Sequence, residues 1–201
     1  MKSKMKLLGS PTSPFVRKVR MLEYELDLSL EFKAIMVREP DDEFLALSPI
    51  GKIPVLITEL GESIPESDLI SRYLCSKTEN TGFFPQNFDL EFERTLVYIN
   101  AALDSSAAII MESWRSEDKI DADIIARHRN RVARVLSALD ARGERVLHEK
   151  RYIELALATL LGYVDFRQSV SEWRASYPFL GSWYSTILNR PYFVETLPAQ
   201  S

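Results

Sequence analysis

The chain is poor in the residues that bind metals and form cross-links. Its 201 residues include one cysteine, Cys75, and two histidines. A single thiol cannot close an intramolecular disulfide, so nothing points to an oxidising compartment, and a cytoplasmic location is expected. His128 and His148 lie far apart in the sequence, with no cysteine or carboxylate cluster at ligand spacing, so no metal is expected. Long apolar runs are also missing. The longest, Leu155 to Leu161, is far short of the roughly 20 residues that cross a bilayer. The lysines near the start are followed too soon by Gly9 and Pro11 for a signal-peptide core. Nor is there an excess of positive charge. A formal net charge of -4 argues against a nucleic-acid binder. The cluster Arg127, Arg129, Arg131 and Arg134 reads as a solvated helix face.

What is present falls into two halves with different grammar. The first eighty or so residues alternate strand and helix patterns. Lys6 to Gly9 reads as a strand, Pro14 to Tyr24 as a helix, and Leu30 to Val37 as a strand with Leu30, Phe32 and Ala34 alternating against Glu31 and Lys33. Val55 to Thr58 and Ser63 to Ile64 form a hairpin turning near Leu60-Gly61-Glu62, and Ser67 to Ser76 returns to helix. This order predicts a small α/β layer whose first two strands are parallel. Residues 81–88 break the pattern as a linker, and from residue 89 to 201 the period is helical. Leu155 to Phe166 is apolar nearly all round, which marks a helix at the centre of a bundle.

Three motifs in the first half could carry chemistry. Ser13 stands before Pro14 at a helix start, an ordinary cap, but also a hydroxyl beside free N–H groups and the positive end of a helix dipole. Such a place holds an anion and lowers a thiol pKa from about 8.5. In Gly51-Lys52-Ile53-Pro54-Val55-Leu56, the proline at a strand entry either marks an edge or makes a cis bond. A cis bond would leave the N–H and C=O of Ile53 free to pair with an extended peptide. In Pro65-Glu66-Ser67-Asp68, Glu66 or Ser67 caps the next helix. The pair also suits an amino-acid zwitterion, Ser67 taking its carboxylate and Glu66 its ammonium. An anion cap, a peptide edge and a zwitterion receptor together describe a binder of a short thiol peptide.

These residues resemble the cytosolic glutathione S-transferases, above all small bacterial members whose first helix opens on Ser-Pro-Phe/Tyr-Val-Arg-Lys. The likeness rests on Ser13-Pro14-Phe15-Val16-Arg17-Lys18, on Pro49-Ile50-Gly51-Lys52-Ile53-Pro54-Val55-Leu56, on Glu66-Ser67 with Ile70, Tyr73 and Leu74, and on Glu154-Leu155-Ala156-Leu157-Ala158 with Gly162-Tyr163. It implies a thioredoxin-like domain that binds glutathione, an all-helical domain contributing the pocket for a hydrophobic electrophile, and a homodimer. Glutathione would be a cosubstrate, used for conjugation or peroxide reduction, with no permanently bound cofactor. Ser13, or Thr12 beside it, would face the sulfur. Ile53, held by a cis Pro54, would pair with the cysteinyl part. Glu66 and Ser67 would bind the γ-glutamyl end, and Lys52 would meet the glycine carboxylate.

The family's usual Ser/Thr-x-x-Asp box at the central helix is replaced by Arg151-Tyr152-Ile153-Glu154. Arg151 cannot accept a capping bond, so another cap nearby is expected. Serine in place of cysteine argues against the mixed-disulfide chemistry of cysteine-bearing members, since a hydroxyl cannot form that disulfide. The rival reading is a non-catalytic interaction protein on the same fold, of the kind represented by the stringent starvation proteins that bind RNA polymerase.

Overall fold

A computed structural model describes residues 4–79, 82–147 and 151–198. Its first strand, β1 (Lys6–Gly9), buries Leu7 and Leu8 on opposite faces, which places it inside the sheet. Helix α1 (Pro14–Glu25) follows, and β2 (Glu31–Ala34) pairs parallel with β1. After helix α2 (Asp42–Leu47), β3 (Val55–Ile57) runs antiparallel to β1 and β4 (Ser63–Pro65) antiparallel to β3, giving the order β2-β1-β3-β4. Helix α3 (Ser67–Ser76) packs beside α1. Val16, Val19, Leu56, Ile70 and Leu74 form the core that joins these helices to the sheet, with Leu7 from β1. The parallel pairing, the hairpin and the span of α3 are as the sequence pattern predicts. The hairpin closes through Thr58, whose N–H donates to Glu62 O (2.8 Å) and whose hydroxyl accepts from the Leu60 and Glu62 N–H groups (3.3 and 3.1 Å). Gly61 supplies its positive φ of 83°.

Strand β2 is half as long as expected. The ladder closes with the Ile35 N–H donating to Gly9 O (2.9 Å), where β1 ends, and all four residues of the strand are exposed, Phe32 and Ala34 included, so no alternation survives. It is an edge strand, with β1 as its one partner in the sheet. It is pinned at its start by the Glu23 carboxylate, which accepts the Leu30 N–H at 2.7 Å. Burial raises the pKa of that carboxyl, against the pull of the Leu30 N–H and Arg20.

The helical unit comprises α4 (Leu90–Glu112), α5 (Ala122–Asp140), α6 (Arg151–Arg167), α7 (Trp173–Ser176) and α8 (Pro178–Ile187), with single 3₁₀ turns at Glu117–Lys119 and Gly143–Val146. Asp89 and Asp121 cap α4 and α5 through their carboxylates. Between Tyr152 and Val164 only Glu154 escapes full burial, so α6 is the central helix that its all-round apolar pattern predicts. Burial lifts the Glu154 carboxyl above its ordinary range while Arg151 and Arg190 pull it down. Arg151 is the first helical residue, not the cap, and the capping position falls outside the described residues. The Tyr152 N–H finds an acceptor in Phe83 O at 3.4 Å. Phe83, assigned to a linker by its neighbours, is fully buried, and Phe84 lies 4.3 Å ring to ring from Tyr152. These aromatics belong to the helical unit, which runs from Gly82 to Arg190.

Residues from Pro191 onward join the first unit, whereas the sequence pattern extends the helical half to residue 201. The reason is local. Helix α9 (Pro191–Val194) packs on α1, and the buried Arg17 guanidinium donates to Phe193 O (3.0 Å) and Thr196 Oγ1 (3.4 Å) and lies 4.3 Å over the Phe193 ring. One turn of helix is too short to show a period in a sequence.

Candidate glutathione site

The sheet register places the three motifs at one end of the first unit. Leu8 faces Val55, and Val55 faces Pro65. Beyond that row come Gly9 to Ser13 from β1, Ile53-Pro54 before β3, and Glu66-Ser67 after β4. Three adjacent strands span about 10 Å, two inter-strand spacings of ~4.8 Å.

At the first of these, Ser13 is the N-cap of α1. Its Oγ accepts the Val16 N–H at 3.4 Å, its O accepts the Arg17 N–H at 3.0 Å, and Pro14 occupies the first helical position. As an acceptor toward the helix, the hydroxyl keeps its proton for a donor role outward. The Phe15 N–H has no acceptor among the described residues. Thr12 is placed differently. Its Oγ1 lies 3.2 Å from Ser10 Oγ, and its N–H donates to the same oxygen at 3.4 Å. The mouth of α1 depends on Gly9, because a Cβ there would sit 2.3 Å from Val16 Cγ2. Val16 is buried and β-branched, with little rotamer freedom in a helix. Gly9→Ala should therefore destabilise the protein by about 1–3 kcal/mol, read as a lower midpoint in denaturant unfolding.

At the second, the Ile53-Pro54 peptide is cis. Neither the N–H nor the C=O of Ile53 takes part in a hydrogen bond among the described residues. Lys52 is exposed, and its carbonyl accepts the Ser48 hydroxyl at 3.0 Å.

At the third, Glu66 caps α3 with its own carboxylate, accepting the N–H groups of Asp68 (3.0 and 3.1 Å) and Leu69 (3.0 Å). It does so at φ 73°, a conformation that costs a non-glycine residue on the order of 1–3 kcal/mol and that collects at functional sites. Ser67 is buried and donates its hydroxyl to Glu66 Oε1 at 3.2 Å. Asp68 pairs with the buried Lys18 ammonium from α1. Lys18 and Arg17 are the site-supporting residues that the sequence reading quoted without giving them a role. Their full burial could not be seen in a one-dimensional pattern that ordinarily leaves lysine and arginine outside.

The other reactive side chains fall away from this end. Burial pushes the half-buried Cys75 thiol up to about 11, with Arg72 opposing, so it is protonated at neutral pH and a poor nucleophile. Among the described residues no group of three or more His, Cys, Asp or Glu could hold a metal, and no helix is long and apolar enough to cross a membrane. His148 lies outside the described residues.

A mixed four-stranded sheet of thioredoxin-like build, followed by a mostly helical part, is the glutathione transferase fold. The sequence model of the glutathione S-transferase N-terminal domain matches residues 7–82. A glutathione S-transferase from Methylobacillus flagellatus KT, solved with GSH bound, is 30% identical, with a TM-score of 0.88 over 98% of this chain and 100% of that one. A glutathione transferase family member from Pseudomonas fluorescens Pf-5, solved with bound glutathione, is 27% identical, with a TM-score of 0.87 over 98% of this chain and 100% of that one. The uncharacterized GST-like protein YibF of Escherichia coli K12 is 27% identical over 98% of this chain and 100% of its own length. The chain belongs to the glutathione S-transferase family.

Proposed function

We propose that this protein is a serine-type glutathione transferase that ionises glutathione at Ser13 and directs the thiolate at a hydrophobic electrophile. The carrying observation is the convergence of Ser13, Ile53 and Glu66-Ser67 at one end of three neighbouring strands. An extended tripeptide is about 10 Å long, the width of that row. In this reading the cysteinyl backbone pairs with the unbonded N–H and C=O of Ile53 beside the cis Pro54, and the exposed Lys52 ammonium meets the glycine carboxylate. Glu66 takes the γ-glutamyl ammonium. Its carboxylate receives the Ser67 hydroxyl, which turns to the ligand's α-carboxylate on binding.

The Ser13 hydroxyl and the Phe15 N–H then point donors at the sulfur. Thr12, engaged with Ser10, is the lesser candidate. The thiol loses its proton to solvent, the sulfur attacks the electrophilic carbon, and the leaving group departs with the bonding pair. Binding thus supplies ionisation and positioning, while the nucleophile belongs to the cosubstrate. Exposed Leu90, Val97 and Met111 along α4 offer apolar surface to a second copy, consistent with a homodimer. The deciding experiment is a thermal-shift series with glutathione, followed by a substrate screen of wild type against Ser13→Ala. Millimolar glutathione raises the melting temperature if the site is real. The absence of any stabilisation would favour the non-catalytic interaction protein.

A further inference from the structure

We propose that Lys18 is the counter-charge that lets the first turn of α3 accept a ligand carboxylate, an inference that rests on the glutathione reading above. That turn presents two acidic side chains, Glu66 and Asp68, on either side of Ser67, where an incoming α-carboxylate has to bind. Two carboxylates alone would repel it. Glu66 has a partner of its own in the ligand's ammonium, but Asp68 has none there.

The structure meets Asp68 from the other side. Lys18 on α1 is fully buried, its side chain 0% exposed, and its ammonium pairs with Asp68 Oδ1, whose side chain is 15% exposed. Arg72, one turn further along α3, is exposed, so water weakens whatever charge it brings to the turn, whereas Lys18 acts from a buried position. A buried charge is costly to keep, and neutral side chains of similar shape generally serve packing as well or better. What they do not supply is charge balance. The segment Ser13 to Lys18 then serves the ligand at both ends: its first residue faces the sulfur, and its last cancels a negative charge beside the γ-glutamyl receptor.

The test is isothermal titration with glutathione and with its analogue lacking the γ-glutamyl α-carboxylate, 4-aminobutyryl-cysteinyl-glycine, on wild type, Lys18→Met, Asp68→Asn and the double variant. Lys18→Met should weaken glutathione about tenfold, the effect of an uncancelled unit charge roughly one helical turn away at intermediate dielectric. The decarboxylated analogue, which keeps its ammonium and has no α-carboxylate to be repelled, should bind at least as tightly as it does to wild type. The double variant, with neither charge, should bind glutathione as wild type does. Unchanged glutathione binding by Lys18→Met, equal losses for both ligands, or a double variant as weak as the single one would overturn the proposal and point to a packing role. Should Lys18→Met not fold, Asp68→Asn decides: it must bind glutathione at least as tightly as wild type, and weaker binding refutes the charge role. Wild type that fails to bind glutathione at all would instead sink the glutathione reading itself, and this inference with it.

Discussion

Ser13→Ala should lower turnover of a generic electrophile by about 10²-fold, the typical loss when one donor to a reacting anion is removed. Glutathione affinity should stay near wild type, because the peptide edge and the γ-glutamyl receptor are untouched. The pH profile gives the sharper signature. A donor that favours the thiolate lowers the bound thiol's pKa, so its removal raises that pKa and moves the rate profile to higher pH, by about 1.4 kcal/mol for each unit. Ser13 also caps α1, and alanine forfeits about 1 kcal/mol of helix stability there. Ser13→Gly separates the two roles, since glycine at a cap costs only a few tenths of a kcal/mol. Turnover lost equally in both variants assigns the effect to the hydroxyl. If both retain full activity while Thr12→Val loses it, the sulfur is served by Thr12.

Glu66→Ala should weaken glutathione by roughly 10²-fold and abolish its thermal stabilisation, with part of the loss coming from the helix cap. A charge-assisted hydrogen bond contributes about 1.5–3 kcal/mol, and Glu66 is the group proposed to meet the ligand's ammonium. Glu66→Gln keeps an oxygen for the Asp68 and Leu69 N–H groups and removes the charge. It should preserve ligand-free stability and lose roughly tenfold in affinity, measured by titration calorimetry. Full affinity in Glu66→Ala would leave Glu66 as a structural cap and nothing more.

Much of the first unit was legible because its signals are local. Ser13-Pro14 at α1 and Gly61 in the hairpin each state a backbone need that few residues meet, Glu66 offers a capping carboxylate ahead of α3, and the structure answers each of them. The long helices were legible from their period. What escaped depends on distant partners. Strand β2 read as twice its length because Ile35, Met36 and Val37 suit a strand, yet past Ile35, whose N–H donates to Gly9 O, β1 has ended and offers no further partner. Phe83 read as linker because turn formers surround it, although its ring is wholly buried. In the candidate site, Ser13, Ile53, Glu66 and Ser67 could be named from order and spacing. Arg17 and Lys18 could not be given work, since the bonds that bury them reach residues 193, 196 and 68.

The return of residues 191–198 to α1 has a consequence for how the protein is made. The sheet, α1 and α3 emerge from the ribosome early, but Arg17 must wait for Phe193 and Thr196 before its guanidinium is covered. The unit that carries Ser13 is therefore begun before the helical unit and finished after it. A nascent chain cut off before residue 191 would carry the sheet and every proposed ligand contact, yet leave Arg17 without the Phe193 and Thr196 acceptors that fix it on the helix carrying Ser13.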